Sequence, residues 1–326
     1  MRRCIGPFIF ALALIFLSAC GGQSARNSEN AGISGELIIF HAGSLSVPFQ
    51  QIADTFSKLH PGLKIYREAA GSVSCARKIT ELNKACDIMA SADYDIINKL
   101  LIPEQADWNI KFASNEMVIA YDDNSRYQKQ INPQNWFDIL LKEDVSFGRS
   151  DPNSDPCGYR SVLVSKLASV FYKQPVLYQK ILAKDQEYIR PKETELLALL
   201  QTGSIDYMFI YRSVAEQHKL KYVRLPDSIN LKNPKLAAFY EKVEVKINGD
   251  EPGEYITQRG EPMVYGLSIC KNAPNRAAAI EFVQFLLSAD KGMKIMEKNG
   301  QPSVVPSYTN TYTKLPDELK VFAKNK

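Results

Sequence analysis

The sequence predicts an α/β protein built in layers, with largely parallel sheets and ligands held at the carboxyl ends of strands. Two observations predict this. Short apolar runs at residues 37–40, 63–67, 86–91, 117–121, 205–211 and 264–269 alternate with segments of helical periodicity at about 48–59, 74–83, 93–101, 157–172, 193–202, 213–218 and 276–288. Several strand-to-helix junctions are small-residue or polar turns, where an open α/β sheet collects its ligands. No internal repeat is present, and the only low-complexity tract lies near the N-terminus.

The first strand, Leu37-Ile38-Ile39, runs into Phe40-His41-Ala42-Gly43-Ser44-Leu45-Ser46. Leu45, Phe49, Ile52, Ala53, Phe56 and Leu59 then recur at helical spacing, with Ser44 or Ser46 as cap and Pro48 in the first turn. A Gly-Ser turn at a helix start presents free N–H groups and a hydroxyl at the positive end of the helix dipole, a ready anion site. The arrangement recurs at Ala70-Gly71-Ser72-Val73-Ser74, ahead of a helix with Ala76, Ile79 and Leu82 on its apolar face. By itself either turn also reads as a plain helix cap.

The third junction, residues 148–160, is the most unusual: Gly-Arg-Ser-Asp-Pro-Asn-Ser-Asp-Pro-Cys-Gly-Tyr-Arg. Asp155-Pro156 has the chemistry of an N-cap followed by proline at the first helical position. Val162, Leu163, Leu167 and Val170 supply an apolar face behind it. The run is either a well-capped helix or a ligand loop with Asp155 or the Cys157 N–H facing a cleft. A fourth junction, Arg190-Pro191-Lys192-Glu193-Thr194-Glu195, opens a helix carrying Leu196, Leu197, Leu199 and Leu200 and closed by Gly203. A fifth candidate, Tyr211, ends the strand at 205–211.

At the N-terminus, Met1-Arg2-Arg3 precedes a short apolar stretch and Leu17-Ser18-Ala19-Cys20, an export signal too short to span a bilayer. Leu-Ser-Ala-Cys resembles a bacterial lipobox, which implies cleavage at residue 19 and lipidation of Cys20. Residues 21–35, rich in Ser, Asn and Gly, read as a flexible tether. Loss of Arg2 and Arg3 takes the formal charge from +4 to +2, so no basic field points to nucleic acid. Cys86, Cys157 and Cys270 lie among small or apolar neighbours and read as buried; a Cys75–Cys86 bridge is left open.

Taken in order, the motifs resemble the tungstate/molybdate-binding proteins of ABC importers. Ala42-Gly43-Ser44-Leu45, Ala70-Gly71-Ser72 with Arg77-Lys78-Ile79, the run at 150–160, Arg-Pro-Lys-Glu at 190–193 and Phe-Ile-Tyr-Arg-Ser-Val-Ala at 209–215 carry the resemblance. It continues through 264–274 and 301–306 and spans essentially the whole mature chain. The resemblance implies a type II periplasmic-binding-protein fold, two α/β lobes with a ligand cleft between them. The first lobe would comprise 36–113 plus 265–326 and the second 114–264, with hinges near 112–118 and 262–269. It further implies that Gly43, Ser44, Ser72, Pro156, Cys157 and Tyr211 hold oxyanion oxygens and that Asp155 and Glu193 reach the metal. The protein would be a lipid-anchored monomer in the cell envelope, without catalytic cofactor, delivering tungstate or molybdate to an ABC permease.

The physical case runs parallel. Hydroxyls and N–H groups bind a dianion without a full counter-charge, at about 1.5–3 kcal/mol per charge-assisted bond. Carboxylates repel sulfate or phosphate, whereas facing Mo(VI) or W(VI) they act as hard oxygen ligands. Rival readings are a receptor for sulfate, phosphate or ferric iron, and an exported hydrolase. The sequence has no Gly-x-Ser-x-Gly elbow, and His41, His60 and His218 show no metal-ligand spacing. Without Cys-x-x-Cys, a thiol oxidoreductase finds no support.

Overall fold

The computed structural model describes residues 32–184, 186–249 and 253–326. The export signal, Cys20 and most of the expected tether lie outside the described residues. The chain enters one five-stranded sheet, leaves it for a second, and returns.

The opening segment comprises β1 (Gly35–Ala42), α1 (Ser46–Leu59), β2 (Leu63–Ala70), α2 (Ser72–Thr80), β3 (Ile88–Ser91), α3 (Tyr94–Ile96) and β4 (Ile110–Ser114). A π-helical turn, Ile97–Leu101, extends α3. β1 begins at Gly35, inside the range expected to be tether, because Gly35 N–H bonds to Gly62 O at 3.0 Å and starts the ladder. β1 pairs in parallel with β2, from Gly35↔Leu63 to Ala42↔Ala70, and with β3. Parallel pairing aligns carboxyl ends. Gly43-Ser44, Gly71-Ser72 and Ala92-Asp93 therefore leave the sheet along one edge.

The second sheet is built by β5 (Met117–Tyr121), β6 (Phe147–Ser150), β7 (Ile189–Arg190), β8 (Tyr207–Tyr211) and β9 (Lys221–Arg224), in the order β7-β6-β8-β5-β9. Between them lie α4 (Trp136–Leu140), α5 (Pro156–Phe171), α6 (Leu177–Lys184), α7 (Leu196–Gln201) and α8 (Arg212–Gln217). β6 runs parallel to β7 and β8, so Asp155, Glu193 and Tyr211 follow strands that end at the same edge. After α9 (Ala237–Tyr240) and the hairpin β10 (Glu244–Asn248) and β11 (Tyr255–Arg259), β12 (Val264–Ile269) returns to the first sheet between β3 and β4. Helices α10 (Arg276–Leu287) and α11 (Gly292–Lys298) and the short pair β13 (Ser307–Thr309) and β14 (Ala323–Asn325) complete the chain.

The expectation of largely parallel sheets holds only for β2-β1-β3 and β7-β6-β8. β12 is antiparallel to β3 and β4, and β5 to β8 and β9. The reason is topological. A strand arriving from the other lobe enters where the parallel strands end, as Met117↔Tyr211 shows, and so runs the opposite way. β4, β6, β9 and the hairpin were not among the expected strands. β6, Phe-Gly-Arg-Ser, is short and carries a glycine and an arginine, so it has no apolar run to find.

Each lobe has an aromatic core. In the first, Phe56 meets Phe282 edge-on at 5.2 Å and Phe285 at 5.4 Å. In the second, Trp136 meets Phe209 edge-on at 6.0 Å. Leu59, Leu82 and Val170, placed on buried helix faces by periodicity, are exposed instead. They sit at or beyond helix ends, where the face runs past the core. Cys75, Cys86, Cys157 and Cys270 are all free and buried, so the Cys75–Cys86 bridge is not formed.

Candidate functional site

Three hydroxyls lie fully buried at the two aligned sheet edges: Ser44, Ser72 and Tyr211. Each already accepts a hydrogen bond from the protein. Ser44 Oγ accepts from Tyr265 Oη at 3.0 Å, Ser72 Oγ from the Ala92 N–H at 3.0 Å, and Tyr211 Oη from Arg160 Nη1 at 3.1 Å. A hydroxyl has one proton to give, and with an acceptor position filled by a protein donor that proton is free for another partner. Burial pushes the Tyr211 phenol well above its ordinary value, so it keeps its proton at neutral pH.

Two carboxyls join them. Asp155 caps α5: its Oδ1 accepts from the Cys157 N–H at 3.2 Å and its Oδ2 from the Glu193 N–H at 3.0 Å. Glu193 opens the 3-10 turn Glu193–Glu195 that leads into α7, and it is buried. Neither of its oxygens accepts a hydrogen bond from a protein donor. Its polar neighbour is the Asp155 carboxyl, which can engage it only by sharing a proton. Burial first, and then Asp155, raise the Glu193 pKa well above the carboxylate range; burial also raises that of Asp155, against the N–H bonds that lower it. Among the described residues no group of three or more His, Cys, Asp or Glu side chains could hold a metal ion, so these carboxyls form a pair and not a cage.

The two edges touch each other through glycines. A Cβ on Gly43 would stand 3.0 Å from Glu193 Oε2, so this carboxyl rests against the backbone beside Ser44. A Cβ on Gly71 would stand 2.1 Å from Ser154 O and 3.0 Å from Asp155 Cβ. Both positions need glycine because the other lobe lies against them. Across the same gap, the Ser74 N–H donates to Ser154 O at 3.2 Å and Arg77 Nη1 to Asn153 O at 3.3 Å.

Arg160, on α5, ties the set together. It pairs with Asp93 across the lobes at 3.1 Å, both side chains being buried, and donates to Ala92 O at 2.7 Å and to Tyr211. Tyr159 also donates to Asp93. Ala92 thus serves Ser72 through its N–H and Arg160 through its carbonyl.

The structure brings together Gly43, Ser44, Ser72, Asp155, Glu193 and Tyr211. It treats two other candidates differently. Pro156 is the first residue of α5 and has no N–H to offer. The Cys157 N–H is already given to Asp155, so it supports a carboxyl instead of standing open to a ligand. His41, three residues before Ser44, has both ring nitrogens occupied elsewhere, by Ala42 O at 2.8 Å and Arg67 Nη1 at 3.3 Å. Burial lowers its pKa to about 4. Asp93, Asn115, Arg160, Tyr265 and Gln301 were not singled out from sequence. Arg160 closes the unusual run at 148–160, and Tyr265 and Gln301 fall in the stretches 264–274 and 301–306 that carry the resemblance.

The profile of bacterial extracellular solute-binding proteins matches residues 37–301. The chain belongs to this family. A solute-binding protein is a transport component, not a catalyst. The chain is 43% identical over 343 residues to the molybdate/tungstate-binding protein WtpA of Pyrococcus abyssi, covering 97% of each. It is 52% identical to an uncharacterised solute-binding protein of Petrotoga mobilis, covering 90% of this chain and 91% of that one. Among solved structures, the periplasmic molybdate-binding protein of Azotobacter vinelandii aligns with a TM-score of 0.60 at 16% identity, covering 83% of this chain and 99% of that one. That likeness shows the fold: the two-lobe periplasmic-binding-protein architecture. Among the described residues no helix is long and apolar enough to cross a membrane.

Proposed function

We propose that this solute-binding protein captures tungstate or molybdate between its lobes and hands it to the permease of an ABC importer. One observation carries the reading. Three buried hydroxyls, each with a protein donor already on its oxygen, keep a proton to give, and a buried Glu193 carboxyl without a protein donor rests against Gly43. Ser44, Ser72 and Tyr211 donate to the oxyanion oxygens, at about 1.5–3 kcal/mol for each charge-assisted bond. Gly43 lets the Glu193 carboxyl approach. Asp155 and Glu193 supply oxygen ligands to the metal centre, Asp155 through lone pairs its two N–H donors leave free. Cys157 acts through Asp155. The molybdate/tungstate-binding names of relatives at 43% and 40% identity support the same ligand. Cys20, lipidated after export, would keep the protein at the membrane that holds the permease.

Sulfate offers nothing for a carboxylate to bind, so the carboxyl pair separates the readings. Calorimetric titration with tungstate, molybdate, sulfate and phosphate tests this. The expected result is tight one-to-one binding of the first two and far weaker binding of the others. Asp155→Asn and Glu193→Gln should weaken tungstate by tenfold or more, on the order of 1.4 kcal/mol each, and should not weaken sulfate, whose repulsion by the carboxylates they remove. Preference for sulfate or phosphate by the unaltered protein would overturn the assignment.

A further inference from the structure

We propose that Tyr265 is a positioning residue for the oxyanion site: its hydroxyl proton fixes the direction of the Ser44 hydroxyl, so that Ser44 meets the ligand only as a donor. The inference rests on the oxyanion reading above and goes beyond it by naming what gives Ser44 its polarity. Ser72 and Tyr211 accept from a main-chain N–H and a guanidinium, groups that can only donate. Ser44 is different. Its partner is another hydroxyl, and a Tyr–Ser pair can point its hydrogen bond either way.

Two carboxamides remove that freedom. Asn115, at the passage from β4 to β5, receives the Glu116 N–H on Oδ1 at 2.9 Å and the Ser213 N–H on the same oxygen at 3.4 Å. Main-chain N–H groups identify that arm as the oxygen. The other arm is therefore the NH2, and it donates to Ser213 Oγ at 2.7 Å and to Tyr265 Oη at 2.9 Å. Gln301 is oriented in the same way. Its Nε2 lies 3.0 Å from Ser44 O, a carbonyl that can only accept, and 3.4 Å from Tyr265 Oη. With two donors on its oxygen, Tyr265 has a single use for its proton, and Ser44 Oγ lies 3.0 Å away. Ser44 must then turn its own hydrogen toward the site. All five groups are buried, so water does not offer a competing direction.

Tungstate titrations of the full protein and of Tyr265→Phe, Ser44→Ala, the double variant and Asn115→Asp test the relay. Tyr265→Phe keeps the ring and should weaken binding about tenfold or more, the worth of one charge-assisted bond. Because Tyr265 acts through Ser44, Ser44→Ala should cost much less in the Tyr265→Phe background than in the wild type. Asn115→Asp keeps Tyr265 and nearly the same shape but turns the donor into an acceptor. It should draw the Tyr265 proton away from Ser44 and weaken binding to a similar degree. Unchanged affinity in Tyr265→Phe or in Asn115→Asp, or effects of Ser44→Ala and Tyr265→Phe that simply add, would overturn the inference. Should Tyr265→Phe fold poorly by its ligand-free melting curve, Asn115→Asp decides alone. Wild-type protein that binds no tungstate overturns the oxyanion reading itself, a separate outcome.

Discussion

A buried carboxyl without a donor costs a fold stability, and Glu193 is such a group. Burial and the Asp155 carboxyl raise its pKa in the fold well above 4.5. The folded chain then holds a proton that the unfolded chain releases. The stabilisation linked to that proton is complete below the unfolded value and is lost as pH rises through the folded one. Ligand-free protein should therefore melt at falling temperature as pH rises above the ordinary carboxylate range, with a slope of at most about 1.4 kcal/mol per pH unit for one proton. Glu193→Gln should flatten the profile and raise the melting temperature at the alkaline end. An equal slope in the variant would show that Glu193 is not the proton holder. Sequence made Glu193 and Asp155 visible as acidic residues at helix starts, where carboxylates commonly serve the dipole. It did not reveal that one would be capped and the other left without a donor, since that depends on Asp155 taking the Glu193 N–H.

Elements place these residues where they meet. Parallel pairing of β1, β2 and β3, and of β6, β7 and β8, sends Ser44, Ser72, Asp93, Asp155, Glu193 and Tyr211 out along two edges. α5 then reaches across: Arg160 on its second turn pairs with Asp93 at the end of β3. Removing one partner of a buried pair leaves an uncompensated charge, a cost of about 3–5 kcal/mol. This pair bridges the lobes, so the cost falls on the closed arrangement. Asp93→Asn, which keeps an acceptor for the α3 cap, should weaken tungstate binding by tenfold or more while ligand-free melting changes far less. Calorimetry and thermal unfolding read the two effects separately; a large drop in melting with unaltered affinity would contradict an interlobe role. Periodicity revealed α5 but not its environment. The burial of Arg160 has no local signature: it is enclosed only because α5 is covered by strands and helices on several sides.

At the scale of the molecule, the chain passes from the first sheet to the second between Ser114 and Met117 and, after the separate hairpin that ends at Arg259, re-enters the first at Val264. We propose these passages as the hinge, with ligand contacts from both lobes favouring the closed shape that a permease would recognise. Gly71 offers a steric test. Its backbone, φ −59° and ψ 140°, suits alanine, so the substitution leaves the open protein unstrained. In the closed arrangement the added Cβ would stand 2.1 Å from Ser154 O, a contact the lobes can relieve only by separating. Gly71→Ala should abolish ligand-induced compaction in small-angle scattering and weaken tungstate binding by tenfold or more, with normal ligand-free stability. Full compaction in the variant would mean that the lobes close elsewhere.

By itself the sequence determined the α/β class, the helix starts at 43–46, 70–74, 155–157 and 193–195, and the kind of side chain at each. These are local matters, set by apolar periodicity, capping chemistry and the backbone freedom of glycine and proline. The tertiary structure decided the rest: which strands run antiparallel, which carboxyl lacks a donor, that Arg160 meets Asp93, and that Tyr265, Asn115 and Gln301 stand behind Ser44. Tyr265 lies 221 residues from Ser44 in the chain. A hydrogen bond over that separation has no local signature, because only the return of β12 beside β3 and β4 brings its two ends together.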